Sequence, residues 1–248
     1  MVTVKSAHEI ELMRKANQIV RDTLDLVGRE IKAGMTTAQV DKLVYDYITS
    51  CGAKPSFLGY EGYPASACVS INEEVVHGIP SPRRFIEEGD IVSVDVGSIY
   101  KGYNGDAART FMIGQVSEEK KKLVEVTRQS FFEGVKVLKD GCRLGDLGWA
   151  IQSYVESNCF SVVRALVGHG IGTDMHEDPS VPNYGTPGRG MRLKAGMTIA
   201  IEPMVNAGTF DVKVLSDDWT VVTRDGRPSA HYENTVVITQ DGCEILSL

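Results

Sequence analysis

The chain has 248 residues, 42% hydrophobic and 24% charged, with a formal net charge of −7. This is globular composition, and the acidic balance argues against nucleic-acid binding as the main role, which needs a dense basic footprint. There is no membrane-length apolar run, no signal-peptide core and no C-x-x-C among the five cysteines, so the expectation is a cytoplasmic protein without disulfide framework or thiolate zinc site.

In chain order, Ser6 and Glu9 have the spacing of a capping box. Ile10, Met13, Val20, Leu24 and Val27 then recur at helical spacing, predicting a helix that ends by Gly34. Thr36 and Gln39 repeat the capping pattern before VDKLVYDYITS. Strands are predicted over SACVSIN (66–72), DIVSVDVGSIY (90–100) and ARTFMIG (108–114). Ser117 is placed to cap a long helix through Leu138, with Glu118 and Glu119 where carboxylates suit the helix dipole. A shorter helix lies within LKDGCRLGDLGWAIQSYVES (138–157). Strands follow over VVRALVG (162–168), MTIAIEPMV (197–205), WTVVTRDG (219–226) and ENTVVITQDG (233–242).

The second helix segment of each half carries matching residues. Lys32 and Lys139, Gly34 and Gly141, Val40 and Leu147, Tyr47 and Tyr154, Ser50 and Ser157 are all 107 positions apart. Halves of about 1–116 and 117–248 each read helix, helix, antiparallel strands, with no linker between them. The expectation is one α+β domain over 1–248 with pseudo-twofold symmetry, its helices covering one face of a shared curved antiparallel sheet.

Asp95 (VSVDVGS) and Asp106 (NGDAART) stand among core-type residues. The 107-residue offset carries Asp95 to Glu202, another carboxylate in an apolar strand. Glu233 begins a strand, and His169 lies between glycines in VGHGIG. A carboxylate moved out of water costs several kcal/mol unless compensated. Four of them cannot share a pocket as bare anions, so they either hold protons or face cations. Two divalent ions would match their charge, and oxygen ligands with one imidazole suit Mn, Fe, Co or Zn. Such a pair polarises a carbonyl and generates hydroxide at neutral pH. The competing reading pairs each carboxylate with a cation near in sequence, Arg109 or Lys101. The chain has no H-E-x-x-H, the helix of mononuclear zinc peptidases. His77 and His176 sit in Gly/Pro-flanked loops, where functional side chains are commonly carried. His231 would share the strand face of Glu233 and support the ligands from behind; His8 is given no role.

VSVDVG, NGDAARTF, GHGIG, IEPMVNAG and AHYENTVVIT resemble the five metal-ligand motifs of the methionine aminopeptidases. GYEGYPASACVSINEEVVHGIP resembles their substrate-pocket segment. The likeness covers nearly the whole chain and is to the shorter, bacterial type I form, since no insertion separates GHGIG from IEPM and no zinc-binding extension precedes the first helix. It implies the pita-bread fold, two divalent ions (Co, Mn, Fe, Zn or Ni) and removal of the initiator methionine from nascent proteins whose second residue is small.

By that resemblance Asp95 would chelate one metal, Asp106 and Glu233 would bridge both, and His169 and Glu202 would complete the second. Glu202 would also act as base toward the bridging water. His176 would hydrogen-bond the scissile carbonyl or tetrahedral intermediate, and His77 the peptide nitrogen. Tyr60, Tyr63, Cys68, His77 and Trp219 would line the methionine pocket. Phe57 and Met175 stand where bacterial members carry a small residue and a Phe. Asn72, Glu74 and Ser229 are implied to offer oxygens to a monovalent cation. Implied partners are nascent N-termini and, transiently, the ribosome, for which EEKKKL (118–123) is a thin candidate. Neither membrane nor DNA contact is expected, and the default is a monomer. Two rivals stand beside this reading: an Xaa-Pro aminopeptidase or dipeptidase of the same fold, whose members usually carry an extra N-terminal domain, and a non-catalytic pita-bread binding protein, which typically loses metal ligands.

Overall fold

Each half opens with a helix whose first turn is closed by its own side chains. In the computed structural model, which describes residues 2–248, Ser6 Oγ accepts the Glu9 N–H and the Glu9 carboxylate accepts the Ser6 N–H. This box starts α1 (Ala7–Glu30); Thr36 and Gln39 make the same exchange ahead of α2 (Thr37–Ser50). In the second half, Ser117 Oγ accepts the Lys120 N–H to open α3 (Glu118–Val135). The α4 helix (Leu144–Ser157) begins where the Asp146 carboxylate accepts the Arg143 N–H. Both α2 and α4 are 14 residues long and stand in the 107-residue offset read from the sequence.

The helices cover two antiparallel ladders. In the first, the strand Ile91–Tyr100 pairs with Tyr103–Met112 from Ile91↔Met112 to Tyr100↔Tyr103. The turn is only Lys101–Gly102, both at positive φ (49° and 87°), as a two-residue hairpin requires. The strand therefore starts at Tyr103, five residues before the expected Ala108. In the second ladder the equivalent of Ile91–Tyr100 is split into Thr198–Ile201 and Met204–Asn206. Pro203, which has no N–H to donate, stands in the gap. One register is kept on both sides of it, with Ile201 opposite Asn234 and Met204 opposite His231.

Side-chain alternation then sorts the residues. Val92, Val94 and Val96 point into a core shared with Val20, Val27, Val44 and Ile48 of α1 and α2. Ile199, Ile201, Val205 and Val236 point into a core shared with Phe131, Leu147 and Ile151 of α3 and α4. Asp95 and Glu202, one residue out of step with those rows, face away from the helices. α1 lies directly on the first ladder at Gly105, where a Cβ would stand 2.7 Å from the Asn17 nitrogen. That contact lets Asn17 Oδ1 accept the Asp106 N–H (3.2 Å).

The ladders join at Ala108 and Glu233, which exchange backbone hydrogen bonds (3.3 and 3.0 Å). Thr110 Oγ1 donates to His231 O and accepts its N–H. Thr235 Oγ1 does the same for Asp106 on the other side. This reciprocity places a pseudo-twofold axis between Ala108 and Glu233, so that Asp106 and Glu233 come from opposite halves to one point.

Some element boundaries differ from the sequence reading. α1 ends at Glu30, and Gly34 (φ +88°) belongs to the following turn. α3 stops at Val135, before Leu138. The strand expected over 162–168 is reduced to Ser161–Val162, with a separate Gly168–Gly170. Val163 and Leu166 between them pack with Val75 and Met204, while Arg164 and Ala165 are exposed, so the apolar run marks a connection anchored to the core at a few side chains.

Candidate metal centre and active site

The ladder faces turned away from the helices bring together the five residues singled out from the sequence. The His169 Nδ1–H donates to Gly170 O (2.8 Å), so the Nε2 lone pair is free to point inward. Nε2 lies 3.6 Å from Asp106 Oδ2 and 3.7 Å from Glu202 Oε1. Asp106 stands between the Asp95 and Glu233 carboxylates, within hydrogen-bonding reach of both. His231 completes the group, its Nε2 3.7 Å from Glu233 Oε2 and 3.8 Å from Glu202 Oε2.

Two overlapping trios result, Asp95–His231–Glu233 and Asp106–His169–Glu233. In each, the ligand atoms lie within 4.8 Å of one another. His231, read from the sequence as a supporting residue, thus reaches the cluster itself.

Burial sets the electrostatics. It raises Asp95 to about 7. Asp106, Glu202 and Glu233 go well above the usual carboxylate range, first through burial and then through each other's charge. Burial also pushes His169 and His231 down to about 3, leaving both rings neutral and able to ligate. Asp95 Oδ1, Asp106 Oδ1, Glu233 Oε1 and His231 Nε2 are buried without a hydrogen-bond partner. Each such atom costs roughly 1–3 kcal/mol or more if left unmet. A lone-pair-rich floor of this kind, whose carboxyls hold protons for want of any other cation, fits divalent ions.

The ion-pair alternative fails on geometry. Arg109 alternates with Ala108 and so points to the opposite face. There it donates to Glu233 O (2.6 Å), Ala108 O (2.9 Å), Asn234 Oδ1 (2.7 Å) and Ser247 O (3.0 Å), with its guanidinium 4.5 Å above the Tyr232 ring. Lys101 is exposed at the hairpin turn, over the Tyr100 ring.

Above the cluster is a cavity of about 160 Å³. It is lined by Phe57, Tyr60, Glu61, Tyr63, Cys68, His77, Met175, His176 and Trp219 with Asp95, Asp106, His169, Glu202 and Glu233 at its floor. Cys68 is directly opposite Asp95 in register, which puts the apolar pocket next to the carboxylates. A Cβ on Gly97 would come 2.8 Å from the Phe57 ring, so this glycine admits Phe57 to the wall. The Tyr63 hydroxyl donates to the main chain at Ala67 or Gly78, and its ring meets Trp219 edge-on at 5.0 Å. His77 adopts φ +59° at the pocket edge, where burial lowers it to about 4. His176 packs edge-on against His169 (4.2 Å) and bonds through Nδ1 to the Tyr60 hydroxyl (2.7 Å).

Asn72, Glu74 and Ser229 lie apart from this cavity. Ser229 N–H donates to Asn72 O, and their side-chain oxygens are engaged: Asn72 Oδ1 by Ile91 N–H, Glu74 by Ile71 N–H and Arg84, and Ser229 Oγ with Val205 O. Sequence reasoning did not single out Glu61 on the cavity wall. It also missed Asn104, which donates to Gly172 O and Thr173 O while Ser56 holds its Oδ1. These contacts join residues 48 to 69 positions apart, and no local motif announces them.

Paired carboxylate strands, neutral inward-facing imidazoles and an enclosed pocket define a class of metal-dependent peptidase. The profile of metallopeptidase family M24 matches residues 11–240, and the chain belongs to that family. The methionine aminopeptidase of Clostridium acetobutylicum is 58% identical over 248 residues, spanning 100% of this chain and 99% of that one. The crystal structure of the methionine aminopeptidase from Thermotoga maritima matches at a TM-score of 0.98 and 49% identity, covering 100% of this chain and 99% of that one. The prolidase from Pyrococcus furiosus shares the fold at a TM-score of 0.79 and 25% identity; 99% of this chain is covered but only 65% of the prolidase. The pita-bread architecture expected from the sequence is therefore borne out, and the family implies a divalent metal.

Proposed function

We propose that this chain is a metal-dependent aminopeptidase that removes the initiator methionine from proteins when the second residue is small. The observation that carries this reading is the position of the unpartnered ligand atoms at the floor of a largely apolar, partly aromatic cavity. When bound there, divalent ions supply Lewis acidity toward a carbonyl and acidify a water. Two ions of Co, Mn, Fe, Zn or Ni suit the two overlapping trios.

Glu233, common to both trios, and Asp106, wedged between Asp95 and Glu233, would be shared by two ions in this reading. Asp95 would help hold one of them, and His169 and Glu202 the other. Glu202 takes a proton from the attacking water and passes it to the departing amine. Its place at the cavity floor, 3.7 Å from His169 Nε2, puts it within reach of a water held there. His176 donates an N–H to the scissile carbonyl oxygen as negative charge grows there, and His77 contacts the peptide nitrogen. Tyr60, Tyr63, Cys68 and Trp219, with Phe57 and Met175, enclose the methionine side chain, whose sulfur gains from aromatic neighbours. A free α-amine in its neutral form has a lone pair that a bound ion would take up, whereas a formylated nitrogen has none to offer, so cleavage of a formylated terminus is not expected.

The partners in this reading are nascent N-termini, with the ribosome as a transient contact and no DNA or membrane. Two of the three lysines of EEKKKL are engaged, Lys120 Nζ with Gly89 O and Lys122 Nζ with Asn158 O. Among the described residues no helix is long and apolar enough to cross a membrane. A monomer in the cytoplasm completes the proposal. A monovalent cation near Asn72, Glu74 and Ser229 belongs to this reading through the resemblance alone, since the Asn72 carbonyl already accepts the Ser229 N–H.

The test is methionine release from Met-Ala-Ser, formyl-Met-Ala-Ser, Met-Lys-Ser and Leu-Ala-Ser by the Mn²⁺-loaded enzyme. Cleavage of Met-Ala-Ser alone is expected. Cleavage confined to peptides with proline second would favour the prolidase-like reading, and a metal-loaded protein cutting none of them would favour a binding protein.

A further inference from the structure

We infer that Tyr60 is a positioning residue for His176, fixing the ring so that its Nε2–H faces the cavity. This rests on the peptidase reading above and adds a role to a residue otherwise counted as pocket wall.

The loop that carries His176 is pinned at its backbone. Asn104 holds Gly172 O and Thr173 O, and the neighbouring Glu177 is locked in a largely buried pair with Lys5 (2.5 Å). Nothing in that network touches the His176 ring. His176 is an exposed residue whose ring lies on the cavity wall against His169 on one side, and a ring held on one side only still turns about its χ2 torsion unless a nitrogen is held. Its polar partner is the Tyr60 hydroxyl, 2.7 Å from Nδ1.

Tyr60 is well placed to hold still. It starts a one-turn helix, Tyr60–Gly62, after Gly59 (φ +83°), and its N–H is donated to Phe57 O. A phenol is a good donor, and a neutral imidazole accepts at one nitrogen while donating from the other. With O–H donated to Nδ1, the proton of the ring sits on Nε2. The edge contact with His169 (4.2 Å) places the ring beside the metal cluster, where a carbonyl oxygen held over the floor is within reach. A ring flip, or the Nδ1–H tautomer, would present a lone pair to that oxygen.

Tyr60→Phe removes the hydroxyl and keeps the aromatic wall. With Met-Ala-Ser and Mn²⁺-loaded enzyme, kcat should fall about tenfold or more, less than the roughly 10²–10³-fold that outright loss of a transition-state donor costs, because His176 itself remains. KM should stay within about twofold, because the ring that meets the substrate is retained. The Zn²⁺-loaded protein, labelled with ¹⁵N-histidine and assigned through His176→Gln, gives a reading independent of turnover. Nδ1 of His176 should appear unprotonated and hydrogen-bonded, and should move toward the free pyridine-like position in Tyr60→Phe. A wild-type Nδ1–H, unchanged ¹⁵N shifts, or an unchanged kcat in the variant would overturn the inference. Failure of the wild-type enzyme to cleave Met-Ala-Ser would instead overturn the peptidase reading.

Discussion

Glu202 faces the cavity with a carboxylate whose proton affinity is raised by burial and by the charges of Glu233 and Asp95. An amide there keeps the shape and stops the proton traffic. Glu202→Gln is expected to lower turnover of Met-Ala-Ser by about 10²–10⁴-fold, the usual size of a general acid–base contribution. The melting temperature of the metal-free protein should be unchanged or higher. Kinetics alongside metal analysis check this, and near-wild-type turnover with metal in place would remove Glu202 from the role. Arg109 teaches the opposite lesson. It is close to Asp106 in sequence, yet strand alternation turns it to the far face, where it gathers four oxygens around the junction of the two halves. Arg109→Met leaves them without that donor and should cost about 2–4 kcal/mol in urea unfolding. No loss would mean that water meets those oxygens equally well. The carboxylates and His169 were legible because each is an anomaly in an apolar setting. The partners of Arg109 were not, because nearness along a strand says little about face.

The first ladder and α1 work as one element. Gly105 lets the helix backbone rest on the strand, and Asn17 then holds the Asp106 N–H. Gly105→Ala forces a Cβ against the helix and should cost about 1–3 kcal/mol. It should also weaken Mn²⁺ binding, since Asp106 moves with its strand. Urea unfolding and calorimetric metal titration read the two effects; no change in either would show that α1 yields freely at this contact. At this scale, helix starts were legible, because a capping box is a local chemical pattern. The strand expected at 162–168 was not, because a short apolar run describes a connection anchored to the core as well as a strand. The contact of Tyr60 with His176 spans 116 positions, and only the folded pocket reveals it.

At the scale of the molecule, the pseudo-twofold axis concentrates negative charge where the halves meet, and proton binding follows from that. Without metal, burial raises Asp95 from its usual 3.8 to about 7 and the other three carboxylates well above their usual range. The folded chain then keeps protons that the unfolded chain releases. This contribution to stability is full below pH 3.8 and is lost as pH rises through 7. His169 and His231, lowered from 6.5 to about 3 by burial, act the other way. Their contribution is present above pH 6.5 and lost as pH falls toward 3. Above pH 6.5 the carboxylates therefore dominate, and the metal-free protein should lose stability between pH 6.5 and about 8. Metal uptake should release protons from the carboxylates and tighten as pH rises. Calorimetry at pH 7 in buffers of different ionisation heat counts those protons, and none released would contradict a protonated buried cluster. The repeat itself was legible from the 107-residue offset, which led from Asp95 to Glu202; the inward position of His231 emerged only with the register across Pro203. The most direct test of the whole account is methionine release from Met-Ala-Ser by chelator-stripped protein as Mn²⁺ is added, with Asp106→Asn in parallel. The account predicts no release without metal, restoration in the wild type and none in the variant at the same Mn²⁺. Release by the stripped protein, or equal restoration in Asp106→Asn, would contradict it.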